Sequence, residues 1–211
     1  MKKNLIILML LLSVGKAFAV EEVWFRTDAD ATGFYLWFGA KGACPLTGWT
    51  LAHDMIYYPQ TNAFEIEIGP LFSLGSLDIL PMFGIWANVN SGETEYLMPQ
   101  LYFYYTKNNF YFESWNIFSY GSAAPTDGEK FFYGRHFVKF SGILEWMSFG
   151  PQAEFVYDFD EQLEENLTSV ALGGRISFPY GEGNSFDVFA GPDIKNDNGI
   201  TMRLTFVRYF Q

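Results

Sequence analysis

The chain is poor in the residues that usually carry chemistry. It has one cysteine and two histidines, and 13 Lys and Arg stand against 24 Asp and Glu in 211 residues. A lone Cys44 cannot form an internal disulfide, so stability has to come from packing or from the surroundings of the fold. His53, His136 and Cys44 give no metal site of credible ligand spacing, and no cofactor is implied. A nucleophile needs a base within reach. "AHD" at Ala52 to Asp54 is too short to be a motif, alternation turns His136 towards the apolar side, and no serine is placed beside either histidine. The expectation is therefore not an enzyme. The acidic balance argues against nucleic acid, which needs clustered Lys and Arg to displace counterions. Long apolar runs are missing too. After residue 20 no segment is apolar for long enough to cross a bilayer as a helix, and none shows helical periodicity.

What the chain has in quantity is large rings, with 23 Phe, 13 Tyr and 6 Trp at a mean hydropathy of only +0.03. A structure apolar outside and polar inside, with aromatic girdles at two membrane interfaces, needs that combination. The first residues supply an address. Lys2 and Lys3 precede an apolar run from Leu5 to Leu12, and Ala17-Phe18-Ala19 is a small-x-small cleavage site. Residues 1–19 read as a secretory signal peptide and residues 20–211 as one domain. Without Lys2, Lys3 and Lys16, ten basic residues remain against 24 acidic ones, a net charge of −14.

Beyond the leader the chain alternates. Phe64, Ile66, Ile68, Pro70 and Phe72 alternate with Glu65, Glu67 and Gly69. Leu97, Pro99, Leu101, Phe103 and Tyr105 alternate with Tyr96, Gln100 and Tyr104. Similar runs recur around Leu77–Val89, Met147–Tyr157 and Val170–Phe178. A period of two marks strands with unlike faces. "NFYFESWNIFSY" from Asn109 mixes both classes, which predicts a β-bulge, and the phase of "WTLAHDMIYY" stays open. The connections are of two alternating kinds. Leu74-Gly75-Ser76, Lys107-Asn108-Asn109, Ser141-Gly142 and Tyr180 to Asn184 are short. "DADAT", "PQTN", "NSGET", "GSAAPTDGE", "DEQLEEN" and "KNDNG" are more polar and include the longest. This pattern predicts an all-β chain folded as a transmembrane up-and-down antiparallel β-barrel of about 12 strands, with ten possible if the first two segments stay outside.

The last segment, "GITMRLTFVRYFQ", places Ile, Met, Leu and Phe at every second position and closes on an aromatic. It resembles the C-terminal assembly signal of bacterial outer-membrane β-barrel proteins, carried here by Phe206 and Phe210. Arg208 interrupts the apolar face and Gln211 follows the aromatic, where the family pattern ends on the aromatic itself. The resemblance is generic and covers the mature chain as architecture. It implies an outer-membrane location, surrounding lipid, and the barrel-assembly machinery as a partner. The alternative is a soluble secreted β-barrel or sandwich that buries its apolar face inside.

If the apolar face looks outward, Glu65, Glu67, Asp78, Arg135, Lys139, Glu154, Asp158, Arg175, Asp187, Asp193 and Arg203 face the lumen. Counting from the short-turn end places Arg135, Arg175 and Arg203 at similar depth, with Glu65 and Glu67 across the barrel. Such an arrangement resembles the constriction of general porins. It is read as either a narrow passive pore for small polar solutes or a closed structural barrel whose ion-paired lumen conducts nothing. A surface-loop binding or adhesion role is the alternative. Gly69-Pro70, Gly150-Pro151 and Gly191-Pro192 recur inside strands. The glycines are read as room for bulky lumen neighbours and the prolines as bulges where a ladder bond is absent. "DFDEQLEENL" lacks the ligand pattern of a calcium loop and reads as a solvated loop.

Overall fold

The computed structural model describes residues 19–121, 130–160, 163–195 and 199–210. The signal-peptide reading of residues 1–19, all but Ala19, and the departure at Gln211 lie outside the described residues. Twelve strands follow one another: β1 (Ala19–Asp30), β2 (Gly33–Ala43), β3 (Thr50–Tyr58), β4 (Ala63–Leu74), β5 (Leu77–Asn88), β6 (Thr94–Lys107), β7 (Phe110–Gly121), β8 (Lys130–Leu144), β9 (Met147–Asp158), β10 (Leu167–Pro179), β11 (Ser185–Asp193) and β12 (Gly199–Phe210). Each pairs antiparallel with its neighbour, and β1 closes the barrel on β12 from Val23↔Phe210 to Asp30↔Arg203. Closure gives every strand two partners, so no edge is left unpaired.

Alternation sets the two surfaces. On β12, Ile200, Met202, Leu204, Phe206 and Phe210 are exposed while Thr205 is buried. Around the barrel the same outward belt carries Phe38, Ile68, Phe83, Leu101, Phe149 and Ile176. A continuous exposed apolar belt of this kind belongs against lipid. The inward positions carry Arg26, Asp28, Glu65, Glu67, Arg135, Glu154 and Arg175, all buried. The phase of β3 is fixed as well. Ala52, Asp54 and Ile56 point inward and are buried, so His53 points outward.

One rim holds the tight connections and both ends of the barrel. Gly75 at φ 65° and Asn108 at φ 54° turn the chain between Leu74↔Leu77 and Lys107↔Phe110. Hairpins this short need left-handed backbone, which glycine and asparagine supply most easily. The β2–β3 connection on this rim is a compact turn, with the Cys44 amide donating to Trp49 O and the Gly48 amide to Cys44 O, both at 2.8 Å.

Three expectations are corrected. Ser141-Gly142 is not the turn after β8: the strand continues to Leu144, which pairs with Met147, and the register shifts between Phe140 and Leu144. β7 carries no bulge, since its register to β6 and β8 is constant from end to end. Its mixed pattern arises because Trp115 and Ile117 face inward while Ser114 and Asn116 face outward, with apolar packing and hydrogen bonds overriding the binary rule. The Gly-Pro pairs are not bulges either. The register holds across each, with paired positions missing between Ile68↔Phe83 and Phe72↔Ile79, Phe137↔Gln152 and Phe140↔Phe149, and Ala171↔Asp193 and Gly174↔Ala190.

Candidate functional site

The lumen is filled at mid-height by side chains from β1, β2, β7 and β8. Alternation brings Trp37 and Trp115 together with their ring centroids 5.2 Å apart. The Arg26 guanidinium lies over both, 5.1 Å from Trp37 and 4.5 Å from Trp115. Arg135 lies over Trp115 at 4.7 Å. A guanidinium is weakly hydrated and planar, and stacks on an indole more readily than an ammonium would. Trp115 is 4 % exposed and Arg135 1 %, values typical of a protein interior.

Asp28 ties this layer together. Its carboxylate accepts from Arg26 at 2.9 Å, from Arg135 at 3.2 Å and from the Thr205 hydroxyl at 2.5 Å. Glu154 takes Arg203 at 2.8 Å, and the Arg135 Nε lies 3.7 Å from it. Arg203 also reaches Asp30 at 2.9 Å. Buried guanidinium groups are tolerable only with partners placed this closely.

The six charged lumen candidates therefore do not form one ring. Arg135, Arg203 and Glu154 meet. Arg175 lies apart, bonded to Asp187 at 2.5 Å and to Gln152 at 3.0 Å, with its guanidinium 3.9 Å from the Phe137 ring. Glu65 and Glu67 sit on another wall and are held by neutral donors. Glu65 accepts from the Tyr58 hydroxyl at 2.7 Å and from Gln100 at 2.6 Å, and Glu67 accepts from the Tyr102 hydroxyl at 3.2 Å. Neighbouring Asp54 accepts from the Trp24 indole at 2.8 Å. Gly39 makes that bond possible, because a side chain there would start 2.1 Å from both groups. Sequence reasoning missed Arg26, Asp28 and both tryptophans. The signal is present in Glu22, Trp24, Arg26, Asp28 and Asp30 at every second position, a strand whose end the sequence pattern assigns to the "DADAT" loop.

Two cavities flank the layer. One of about 770 Å³ opens towards the short-turn rim and is lined by Arg26, Asp54, Glu113, Lys139, Arg175 and Asp187, among others. The other, of about 400 Å³, opens towards the long-loop rim and includes Asp28, Tyr58, Glu65, Trp86, Arg135 and Arg203. Trp37 and Trp115 line both cavities, so one layer of side chains separates them.

On the outer wall a serine does stand beside a histidine, contrary to expectation. Ser114 Oγ lies 2.8 Å from His136 Nδ1 across β7 and β8, and Asn116 donates to Ser114 Oγ and to Leu101 O, each at 3.0 Å. Ser114 is 6 % exposed beneath these groups. The three side chains satisfy one another on an apolar surface, where unmet hydrogen bonds are costly. Phe206, the inner of the two aromatics in the C-terminal pattern, stacks on Tyr180 at 5.0 Å. Phe210 closes the outward face of β12.

No family model and no curated relative matches the chain. Solved structures do. The NanC porin aligns with 92 % of this chain and 100 % of its own, at 11 % identity and a TM-score of 0.56. The KdgM porin covers 90 % and 98 %, at 10 % identity and 0.55. The COG4313 outer-membrane channel from Pseudomonas putida F1 covers 93 % and 98 %, at 12 % identity and 0.53. Twelve strands, closure of β1 on β12, an apolar outer belt and this likeness in fold agree. The chain has the fold of a bacterial outer-membrane β-barrel, of the architecture that these small porins share.

Proposed function

We propose that the protein is a narrow outer-membrane channel for small polar solutes, closed at rest by a septum one side chain thick. The observation that carries the reading is the pair Trp37 and Trp115, which faces both vestibules at once. A barrel serving only as a scaffold has no need of two charged cavities that nearly meet. Passage requires Trp115 and the guanidinium groups stacked on it to swing aside, since Arg135 and Asp28 are each 1 % exposed in the closed lumen. The second reading, a closed structural barrel, is favoured by that same burial.

Planar-bilayer recording of the refolded protein separates them. The channel reading expects brief, small openings in wild type and a several-fold larger, steadier conductance in Trp115→Ala, because losing the indole merges the cavities. If both wild type and a Trp37→Ala/Trp115→Ala double variant are silent after verified insertion, the barrel is a scaffold and the proposal fails.

A further inference from the structure

The long-loop vestibule is lined by Tyr35, Tyr58, Trp86 and Phe131, rings joined in mutual contact, the last two through Tyr96. Tyr35 and Tyr58 have centroids 5.1 Å apart, Tyr58 and Trp86 4.0 Å, Trp86 and Tyr96 6.4 Å, and Tyr96 and Phe131 5.7 Å. Polar tips of these rings and of the lining Tyr133 reach carboxylates, Tyr35 while also contacting the Thr32 hydroxyl. Tyr58 donates its hydroxyl to Glu65 at 2.7 Å, Trp86 its indole N–H to Glu95 at 3.1 Å, Tyr35 its hydroxyl to Asp30 at 3.2 Å, and Tyr133 its hydroxyl to Glu154 at 3.1 Å. A ring that donates to a carboxylate gains electron density on its face, and ring faces attract cations. The fixed charges are mixed: the lining balances Asp28 and Glu65 against Arg135 and Arg203, and the acidic excess comes from the groups around it. Asp28, Asp30, Glu65, Glu95 and Glu154 surround the cavity or its ring tips, against Arg26, Arg135 and Arg203, which are engaged by Asp28, Asp30 and Glu154. Around the mouth, Glu93, Asp158, Asp160, Glu164 and Glu165 stand against Lys130 and Lys195. A cavity of about 400 Å³ with aromatic walls and a few fixed polar groups is of ligand-binding size.

We infer that this vestibule is a binding site for small organic cations, primary or quaternary amines, held against the ring surfaces that the packed pair Tyr58 and Trp86 turns to the cavity. The acidic mouth concentrates such solutes and repels anions. The site needs the folded barrel but not an open septum, so it stands or falls separately from conduction.

The test uses the refolded full-length mature barrel in zwitterion-free detergent micelles, titrated with choline by calorimetry and followed by tryptophan fluorescence. Foldedness is checked by resistance to unfolding on unheated gels. Choline should bind saturably, and 3,3-dimethyl-1-butanol, which has its shape without the charge, at least roughly tenfold more weakly. Trp86→Leu and Tyr58→Leu should each weaken choline by roughly tenfold, while Trp86→Phe, which keeps a ring face, loses only a few-fold. Tyr58→Phe, which removes only the bond to Glu65, should lie between wild type and Tyr58→Leu. Absence of saturation in a folded barrel overturns the inference. So does equal binding of the neutral analogue, unchanged affinity in folded Trp86→Leu, or tighter binding of galacturonate than of choline.

Discussion

At the scale of single residues, Asp28 is a junction of the lumen. It contacts Arg26, Arg135 and Thr205, which come from its own strand, from β8 and from β12. Removing it strands two buried guanidinium groups whose other anions are more distant, Glu113 at 3.9 Å from Arg26 and Glu154 at 3.7 Å from Arg135. Breaking a buried pair from one side costs about 3–5 kcal/mol, because the remaining charge keeps its desolvation penalty without its partner. Asp28→Ala should therefore lower unfolding free energy by about that amount in a urea titration of the refolded barrel, read by tryptophan fluorescence. The pair Lys195–Glu165 offers the contrast, since it joins two loops of the rim with the Glu165 side chain 63 % exposed. Solvent screens such a pair, so Glu165→Ala should leave the transition where it was. An Asp28→Ala transition within error of wild type would mean that the lumen is wet enough to solvate both arginines.

At the scale of strands, Gly150 shows why the Gly-Pro pairs recur. A side chain at Gly150 would begin 2.0 Å from the Val138 carbonyl oxygen, and one at Gly69 1.9 Å from that of Pro81. Neither obstacle is a flexible side chain. The strands come close where ladder pairs are missing, and only glycine admits that approach. Gly174, which faces outward with open space around it, is the natural control. Gly150→Ala should destabilise by about 1–3 kcal/mol, as overpacking against rigid backbone does. Gly174→Ala should be neutral or slightly stabilising through loss of unfolded-chain freedom. Equal effects in thermal melts would refute the close-approach account. The same scale shows what the sequence could disclose. Alternation is local, so the outward and inward faces of β4, β5, β6, β9, β10 and β12 were legible residue by residue. Which inward residues meet is not local. Asp28 and Arg135 are 107 positions apart, and Asp28 and Thr205 177 apart, brought together only by closure and strand register. β7 was misread for a related reason: its outward Ser114 and Asn116 are satisfied by a histidine and a carbonyl on neighbouring strands, which no pattern within β7 records.

At the scale of the whole molecule, the charge of the lumen decides what a channel of this shape would pass. Glu22, Asp28, Asp30, Asp54, Glu65, Glu67, Asp78, Glu113, Glu154 and Asp187 face inward along the described strands. Arg26, Lys41, Arg135, Lys139, Arg175 and Arg203 oppose them. The arginines of the septum are already committed to Asp28, Asp30 and Glu154, whereas Glu65 and Glu67 are bonded to hydroxyl and amide groups that carry no charge. Where those carboxylates are ionised they leave a negative field on that wall, and fixed carboxylates favour cations. In asymmetric potassium chloride, the opened Trp115→Ala barrel should therefore show a reversal potential of cation-selective sign. Glu65→Gln in that background should move the potential towards zero, and Arg175→Ala should move it further in the cationic direction, since it removes positive charge from the wider vestibule. High salt should flatten both shifts as the Debye length falls to about 3 Å at 1 M. An anion-selective Trp115→Ala barrel would place the arginines, rather than the carboxylates of β3 and β4, in control of the conducting path.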